Sequence, residues 1–518
     1  MKAYCFLSGL LLFLGISSCK DEPILPTPEI PFEWSEFEWL TLDYVPLSRR
    51  VTVNTNLISK ITIKVLGRNG RASDIQHDFN ELGTVHTFDV HGLYADSTNT
   101  VIVQFFNAAN NLLGDDTLSI ETGPLIEGVP DVAIEVSTNP NTEDGTFFLV
   151  SYRGRTKPML PLMIDQFGDI RWIADFSTHP ELSELHFDVG LERLENGNWY
   201  FGDKSTDQIY EMNMAGELVN TWLLPGYEFH HNVQEASNGN FLVTVSKDGN
   251  THSNGNLTVE DVLLEIDRGN NIALNEWNLL ESLDENRVVL VNNLNQPTID
   301  WIHVNSIEEG LDGQGVLISG RTQGVVQLDA DNQVDWILAN HKGWGNNRAG
   351  EDLNQFLLQP LDAAGQPIID QAIMEGFEKH PDFDWPWYQH ASTFLPNSDL
   401  LLFDNGINRQ YEFPPYYSRA VVYRIDTAAM TVQQIWEYGS DRPELYSNIV
   451  SDVDYLEDEQ AILMCSGRIQ GGPSGFLEGR IVKIDYATKT VLFEARIIGN
   501  SESSIIFHRA EQLPLYPD

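Results

Sequence analysis

One pattern recurs six times between residue 146 and the C-terminus: a short turn, an apolar strand, a second strand closing in an acidic turn, and a third strand ending in Trp or Phe. One copy reads Asn196-Gly197-Asn198 into Trp199-Tyr200-Phe201, then Gln208 to Asn213, then Leu218 to Leu223. Others run Phe241 to Val243, Val262 to Asp267 and Trp277; Val316 to Ser319, Val325 to Asp329 and Trp336; and Leu400 to Phe403, Val421 to Asp426 and Trp436. A further copy runs Ala461 to Met464, Arg480 to Asp485 and Phe493, and a weaker one opens the series at Thr146 to Val150, Leu162 to Asp165 and Trp172. A single copy buries too little apolar surface to stand alone. Repeats of this kind are stabilised by stacking radially, which also keeps strand edges short and covered. Helical periodicity is scarce. The reading is all-β: a six-bladed β-propeller, with seven blades as the alternative. Residues 340–385 break the repeat and read as a loop inserted over one face.

Upstream, residues 36–125 alternate apolar and polar positions through β-branched runs such as Val51-Thr52-Val53 and Ile61 to Val65. They read as a small N-terminal β-sandwich domain, leaving residues 126–518 to the propeller. The N-terminus carries a targeting pattern. Lys2 precedes an apolar run from Phe6 to Ile16 that is too short for a membrane span, and Ser17-Ser18-Cys19 follows. Residues 1–18 read as a signal peptide whose end resembles a bacterial lipobox, with Cys19 as the lipidated residue. Residues 19–35 read as a Pro- and Glu-rich tether. Lys20-Asp21-Glu22 resembles an acidic surface-export signal, which leaves either face of the outer membrane open. The plain alternative is a cleaved signal peptide. Cys5 leaves with that peptide, so Cys465 is left without a disulfide partner, and it sits in an apolar strand pattern.

The formal net charge is −45. Phosphate backbones and anionic lipid repel such a chain, so nucleic acid is not an expected partner. If the ligand is an anion, cations must be gathered locally against that field. Three histidines stand shortly upstream of successive repeats: His231 in Phe229-His230-His231-Asn232-Val233, His303 in Asp300-Trp301-Ile302-His303, and His390 in Trp387-Tyr388-Gln389-His390. Arg321 leaves the strand that follows His303. A lone histidine at such a point is ordinarily structural. Three at equivalent points with an arginine point to an anion pocket on the propeller axis. The competing reading, zinc on the three histidines, sets a second cation against Arg321, and no metal is expected. Trp385, Trp387 and Tyr388 read either as an aromatic wall beside His390 or as core.

These blocks resemble the arylsulfotransferases. The resemblance rests on His231 with the Asn238-Gly239 turn, Asp300 to Ser306, Ser319 to Val326, Gln389-His390 and Phe403-Asp404-Asn405-Gly406. Tyr417-Ser418-Arg419, Trp436 to Gly439 and His508-Arg509-Ala510 also fit, as do Trp336 to Ala339, His341 to Trp344 and Leu361 to Pro367 in the inserted segment. It implies a propeller behind a small β domain, a homodimer, and transfer of a sulfuryl group from an aryl sulfate donor to a phenolic acceptor through a sulfohistidine. It implies no cofactor and no sulfate nucleotide, and the sequence shows no Gly-rich phosphate cradle. By motif, His390 matches the nucleophile, while His231, His303 and Arg321 match residues lining the sulfuryl group. Asn305, Tyr417, Arg419, His508 and Arg509 are matched as substrate-binding. The His230-His231 doublet leaves the register ambiguous by one, and the distance to Asn238-Gly239 favours His231. Some members carry a cysteine pair in the inserted segment; residues 366–385 have none, which leaves acceptor specificity open. A non-catalytic binding propeller and an aryl sulfate hydrolase are the alternatives.

Overall fold

The computed structural model describes residues 30–138, 146–153, 158–186, 189–289, 293–311, 313, 315–411, 416–500 and 505–517. The signal and lipobox readings, Cys19 included, lie outside these residues. The N-terminal strands Glu38–Thr41, Arg49–Val65, Ile75–Val90, Ser97–Phe106 and Leu112–Thr122 form one bent sheet. The 17-residue strand Arg49–Val65 is its spine, pairing along its length with Ile75–Val90 and at its C-terminal half with Ser97–Phe106.

Six further sheets follow as blades. Blade 1 holds Thr146–Arg153, Leu160–Ile164 and Ile170–Ile173; blade 2 runs from Glu192–Arg193 to Leu218–Leu223. Blade 3 spans Tyr227–Glu235 to Ile272–Asn278, and blade 4 spans Val304–Glu309 to Val334–Leu338. Blade 5 spans His390–Phe394 to Thr431–Tyr438 and blade 6 Asp452–Leu456 to Val491–Ile498. Both ends of the propeller segment close the ring. Ile506–Pro514 supplies the innermost strand of blade 1, and Asp131–Ser137 the outermost strand of blade 6. Part of the inserted segment, Gln359–Leu361, adds a parallel strand at the outer edge of blade 5.

The middle strands lose the alternation of a half-exposed sheet because each blade is covered on both faces. Gly324–Leu328 and Leu400–Asp404 are buried at every position. The repeat's two punctuation marks, the tryptophan and the acidic turn, meet between blades. Trp172, Trp222, Trp277 and Trp436 each donate the indole N–H to a backbone carbonyl in the turn of the next blade, at Met214, Arg268, Asp329 and Tyr486, over 2.8–3.0 Å. The recurring sequence pattern is therefore a blade-to-blade clasp, each bond satisfying a buried donor that would otherwise cost about 1–3 kcal/mol.

The four-stranded blade exceeds the three-stranded sequence unit by its innermost strand. Those strands are bulged where they approach the axis. Between Phe229 and Val233 of blade 3 the pairing shifts, and His231 takes φ 55°. The side chain of Thr244 pins this bulge, donating to the carbonyls of His230 and Asn232 and accepting from the N–H of Asn232. His303 takes φ 55° one residue ahead of the inner strand of blade 4. In the closing strand the shift falls between Phe507 and Ala510, pinned by Ser151 to Arg509. Left-handed backbone at non-glycine residues costs on the order of 1–3 kcal/mol and concentrates at functional sites. Here it turns imidazoles toward the axis.

Candidate active site

His231, His303, His390 and His508, from four blades, converge at one end of the central channel. The Nε2 atoms of His231 and His303 lie 3.1 Å apart. The His508 ring centre stands 5.5 Å from that of His231 and 6.2 Å from that of His390. The ring whose Nε2 meets that of His303 is that of His231; His230 packs edge-on against it, and the ligand atoms of both lie within 4.8 Å of Glu260's.

His390 opens the inner strand of blade 5 and is 3% exposed. Its Nδ1 lies 2.6 Å from Asn405 Oδ1. The Asn405 amide is oriented by its NH2, which donates to the carbonyls of Ser447 and Val450 at 2.9 and 3.0 Å. The oxygen therefore faces His390, the ring carries its proton on Nδ1, and Nε2 keeps a lone pair. Burial, then Arg321, then His508 hold His390 well below the ordinary imidazole value, against the hydrogen bond its Nδ1–H donates to Asn405. It is a neutral imidazole at neutral pH. The sequence quoted Asn405 within a motif and gave it no role; the structure makes it the group that fixes the tautomer.

Arg321 follows the second strand of blade 4, its backbone N–H donating to the carbonyl of His303 at 3.0 Å. Its guanidinium lies 5.9 Å over the ring of Tyr388. Its Nε is buried without a hydrogen-bond partner, and among the described residues no carboxylate pairs with it. Burial lowers its pKa, yet an arginine stays charged at neutral pH. A half-buried guanidinium that pairs with no described carboxylate, beside a neutral imidazole, can hold an anion.

The sequence missed Glu260, two residues ahead of a blade 3 strand. Its Oε2 lies 2.8 Å from His303 Nδ1 and 3.4 Å from His231 Nε2, while Asp300 Oδ2 lies 2.7 Å from the same His303 nitrogen. Burial works against charge on His303, but Glu260 and Asp300 outweigh it and raise its pKa. Burial likewise opposes charge on Glu260, and the two histidines overcome it, holding the carboxyl well below its ordinary range. The ligand atoms of His230, His231 and Glu260, and those of Glu260, Asp300 and His303, lie within 4.8 Å of one another. Those two sets are the candidate metal ligands; His390 belongs to neither.

The remaining residues singled out in the sequence occupy supporting positions. Asn305 donates to the carbonyl of Gln389 at 2.8 Å, and Ser319 to the same oxygen at 3.1 Å, bracing the residue before His390. Arg419 is 1% exposed, and Asp404, Gln434 and the carbonyl of Asp384 occupy its donors. It is therefore a buried strut of blade 5. Tyr417 donates to Asp384 in the same network and lies under Arg409. Arg509 pairs with Glu192. Trp385 donates to the carbonyl of Ile373 and packs on Phe383, as core; Tyr388 is the aromatic beside Arg321.

Beyond the histidines the channel widens into a cavity of about 270 Å³ lined by Glu192, Glu308, Asp452, Asp454 and Glu511 with Arg193 and Arg509. Burial pushes Glu308 and Glu511 up to about 7, and raises Asp452 and Asp454 well above the carboxylate range.

Residues 132–508 match the sequence model of the arylsulfotransferase family, and residues 41–123 match that of the arylsulfotransferase Ig-like domain. The arylsulfate sulfotransferase AssT of Escherichia coli O6:H1 is 26% identical over 88% of each chain. The same-named protein of Lelliottia amnigena is 25% identical over 88% of each. Among solved structures, a streptogramin B lyase matches with TM-score 0.30 and 12% identity over 71% of this chain and 97% of that one. That likeness is too low to argue from, and the blade architecture rests on the strand pairing.

Proposed function

The chain belongs to the arylsulfotransferase family and is an arylsulfate sulfotransferase, and from this premise we propose that it works by two in-line displacements through a sulfurylated His390, with no sulfate nucleotide. The observation that carries this reading is the neutral Nε2 of His390, its proton held away on Asn405, beside the unpaired guanidinium of Arg321.

His390 Nε2 attacks the sulfur of an aryl sulfate ester as the S–O bond to the phenol breaks. Sulfuryl transfer resembles phosphoryl transfer, in which charge spreads over three equatorial oxygens and positioning with electrostatics dominates. Arg321 and the histidine donors face those oxygens, each donor lowering the barrier by about 3 kcal/mol. The departing phenolate takes a proton from the His231–His303 pair. The sulfurylated ring keeps its Nδ1 proton on Asn405, a neutral amide that leaves the ring electron-poor and a good leaving group. An acceptor phenol then returns its proton to the pair and attacks the same sulfur, so atoms and charge balance over the cycle. Asn305 orients this site through Gln389; Tyr417, Arg419, His508 and Arg509 shape it, and His508 alone of these approaches His390.

Incubation with 4-nitrophenyl sulfate alone is expected to release no more than about one equivalent of nitrophenol per protein, with steady release only after a phenol is added. Steady release without acceptor would make the protein a hydrolase, and no release at all a binding propeller.

The same reading places the enzyme in the bacterial envelope, anchored by a lipid on Cys19 and paired as a homodimer. Cys19→Ala is expected to move the protein from the membrane to the soluble fraction with its transferase activity intact; unchanged membrane partition would remove the anchor from the account.

A further inference from the structure

We propose that the cavity below the histidines binds one hard divalent cation, magnesium or calcium, held by carboxylates of blades 1, 4 and 6 with water completing its shell. The site is separate from the chemistry at His390 and uses none of its residues.

Elsewhere in the chain a buried carboxylate meets an arginine. Asp165 pairs with Arg171, Asp404 with Arg419, Asp384 with Arg409, Glu478 with Arg496 and Glu494 with Arg442. The cavity breaks that habit. Glu308, Asp452, Asp454 and Glu511 line it from the innermost strands of blades 4, 6 and 1. Among the described residues, no lysine or arginine pairs with any of the four. The two arginines of the lining act on Glu511 only at a distance. Arg509 pairs with Glu192. Arg193 donates to the carbonyl of Pro514 and to the sulfur of Met214, and its guanidinium lies 4.3 Å over the ring of Trp199.

The orphaned atoms agree with the charges. Asp454 Oδ2, Glu511 Oε1 and Gln234 Oε1 are buried without a hydrogen-bond partner, and all three residues line the cavity. Asp452, 5% exposed, stands on the same strand as Asp454. Three acceptors from three blades thus face one space that lacks donors for them. Buried charges are held by partners or by metals, and here the partners are missing.

The class of ion follows from the ligands. Carboxylate, amide and hydroxyl oxygens line the space with no imidazole or thiol, a set that suits magnesium and calcium and not softer metals. A volume of about 270 Å³ leaves room for several waters beside an ion. Among the described residues, three ligand atoms come within 4.8 Å of one another only around Glu260. The cavity's carboxylates stand wider apart, so one or two bind directly and the others through water. Glu511 belongs to Ile506–Pro514, so the ion ties the strand that closes the ring to blades 4 and 6.

Calorimetric titration of the full chain, stripped with EDTA, is expected to show one site for Mg²⁺ or Ca²⁺, the two titrations telling which. The bound ion at about 2 mM is expected to raise Tm by about 2–5 °C. The comparison is a double variant, Asp454→Asn with Glu511→Gln. In EDTA it is expected to melt no lower than the parent, because it removes buried charges that have no partner. With the ion present it loses the rise. A merely structural role predicts a lower Tm under both conditions. If neither ion binds at one equivalent, or if the variant keeps the full rise, as screening of surface charge would give, the proposal is overturned and the cavity holds only water and protonated carboxyl groups. Should the double variant not fold, Glu308→Gln carries the same comparison, with the same outcomes. Melting and titration do not read sulfuryl transfer, so either reading can fail without the other.

Discussion

His390→Ala is expected to lower aryl sulfate turnover by at least about 10⁴-fold and to abolish the covalent intermediate altogether. The nucleophile has no understudy: His231 and His303 are committed to each other and to Glu260, and His508 has its ring centre 6.2 Å away. Intact-mass analysis after exposure to donor without acceptor reads this directly. The parent chain gains one SO3, mapped to His390, and the variant gains none. The fold survives the change, since what is lost is one imidazole at the rim of a channel and one hydrogen bond to Asn405, about 1–3 kcal/mol at most. An SO3 adduct that persists in the variant would place the nucleophile elsewhere.

Arg321→Ala is expected to cost about 10³-fold in kcat/KM, the scale of removing an arginine from a transferring phosphoryl group. Arg321→Lys recovers little of it, because a point charge does not reproduce the planar fork that faces two oxyanions at once. A second reading accompanies the rate. Arg321 is, after burial, the largest influence holding His390 neutral. With the guanidinium gone the imidazolium is less disfavoured, the His390 pKa rises toward its ordinary value, and the acid fall in rate begins at higher pH. A variant that loses rate without that displacement would put Arg321 out of range of the nucleophile. Its weight is greater for the field it works against: the chain carries a formal charge of −45.

What could be read in the sequence, and what could not, divides along the radius of the propeller. The second and third strands are packed on both faces, so packing wrote them as apolar runs, and the tryptophans that follow them in four blades clasp the turn of the next blade. The innermost strands line a wet channel, and left-handed residues such as His231 and Ala391 interrupt their pairing. Neither alternation nor an apolar run survives there, and only the histidines marked their position. Arg419 carries the opposite lesson: a family-like motif placed it among the substrate-binding residues, while Asp404 and Asp384 hold it inside the blade. Glu260 lies in Val259-Glu260-Asp261, an acidic stretch like many in this chain. Its importance comes from meeting a histidine 43 positions further on, which no local pattern encodes.

The strand that seals blade 1, Ile506–Pro514, is remote in sequence from the Thr146–Arg153 strand it pairs with, and it brings His508 with it. Until that strand docks, the ring is a gapped arc and its reactive centre lacks a wall. Closure of the ring is thereby a licensing step: with this strand undocked the pocket is unassembled, and chemistry begins only when Ile506–Pro514 has found Thr146–Arg153.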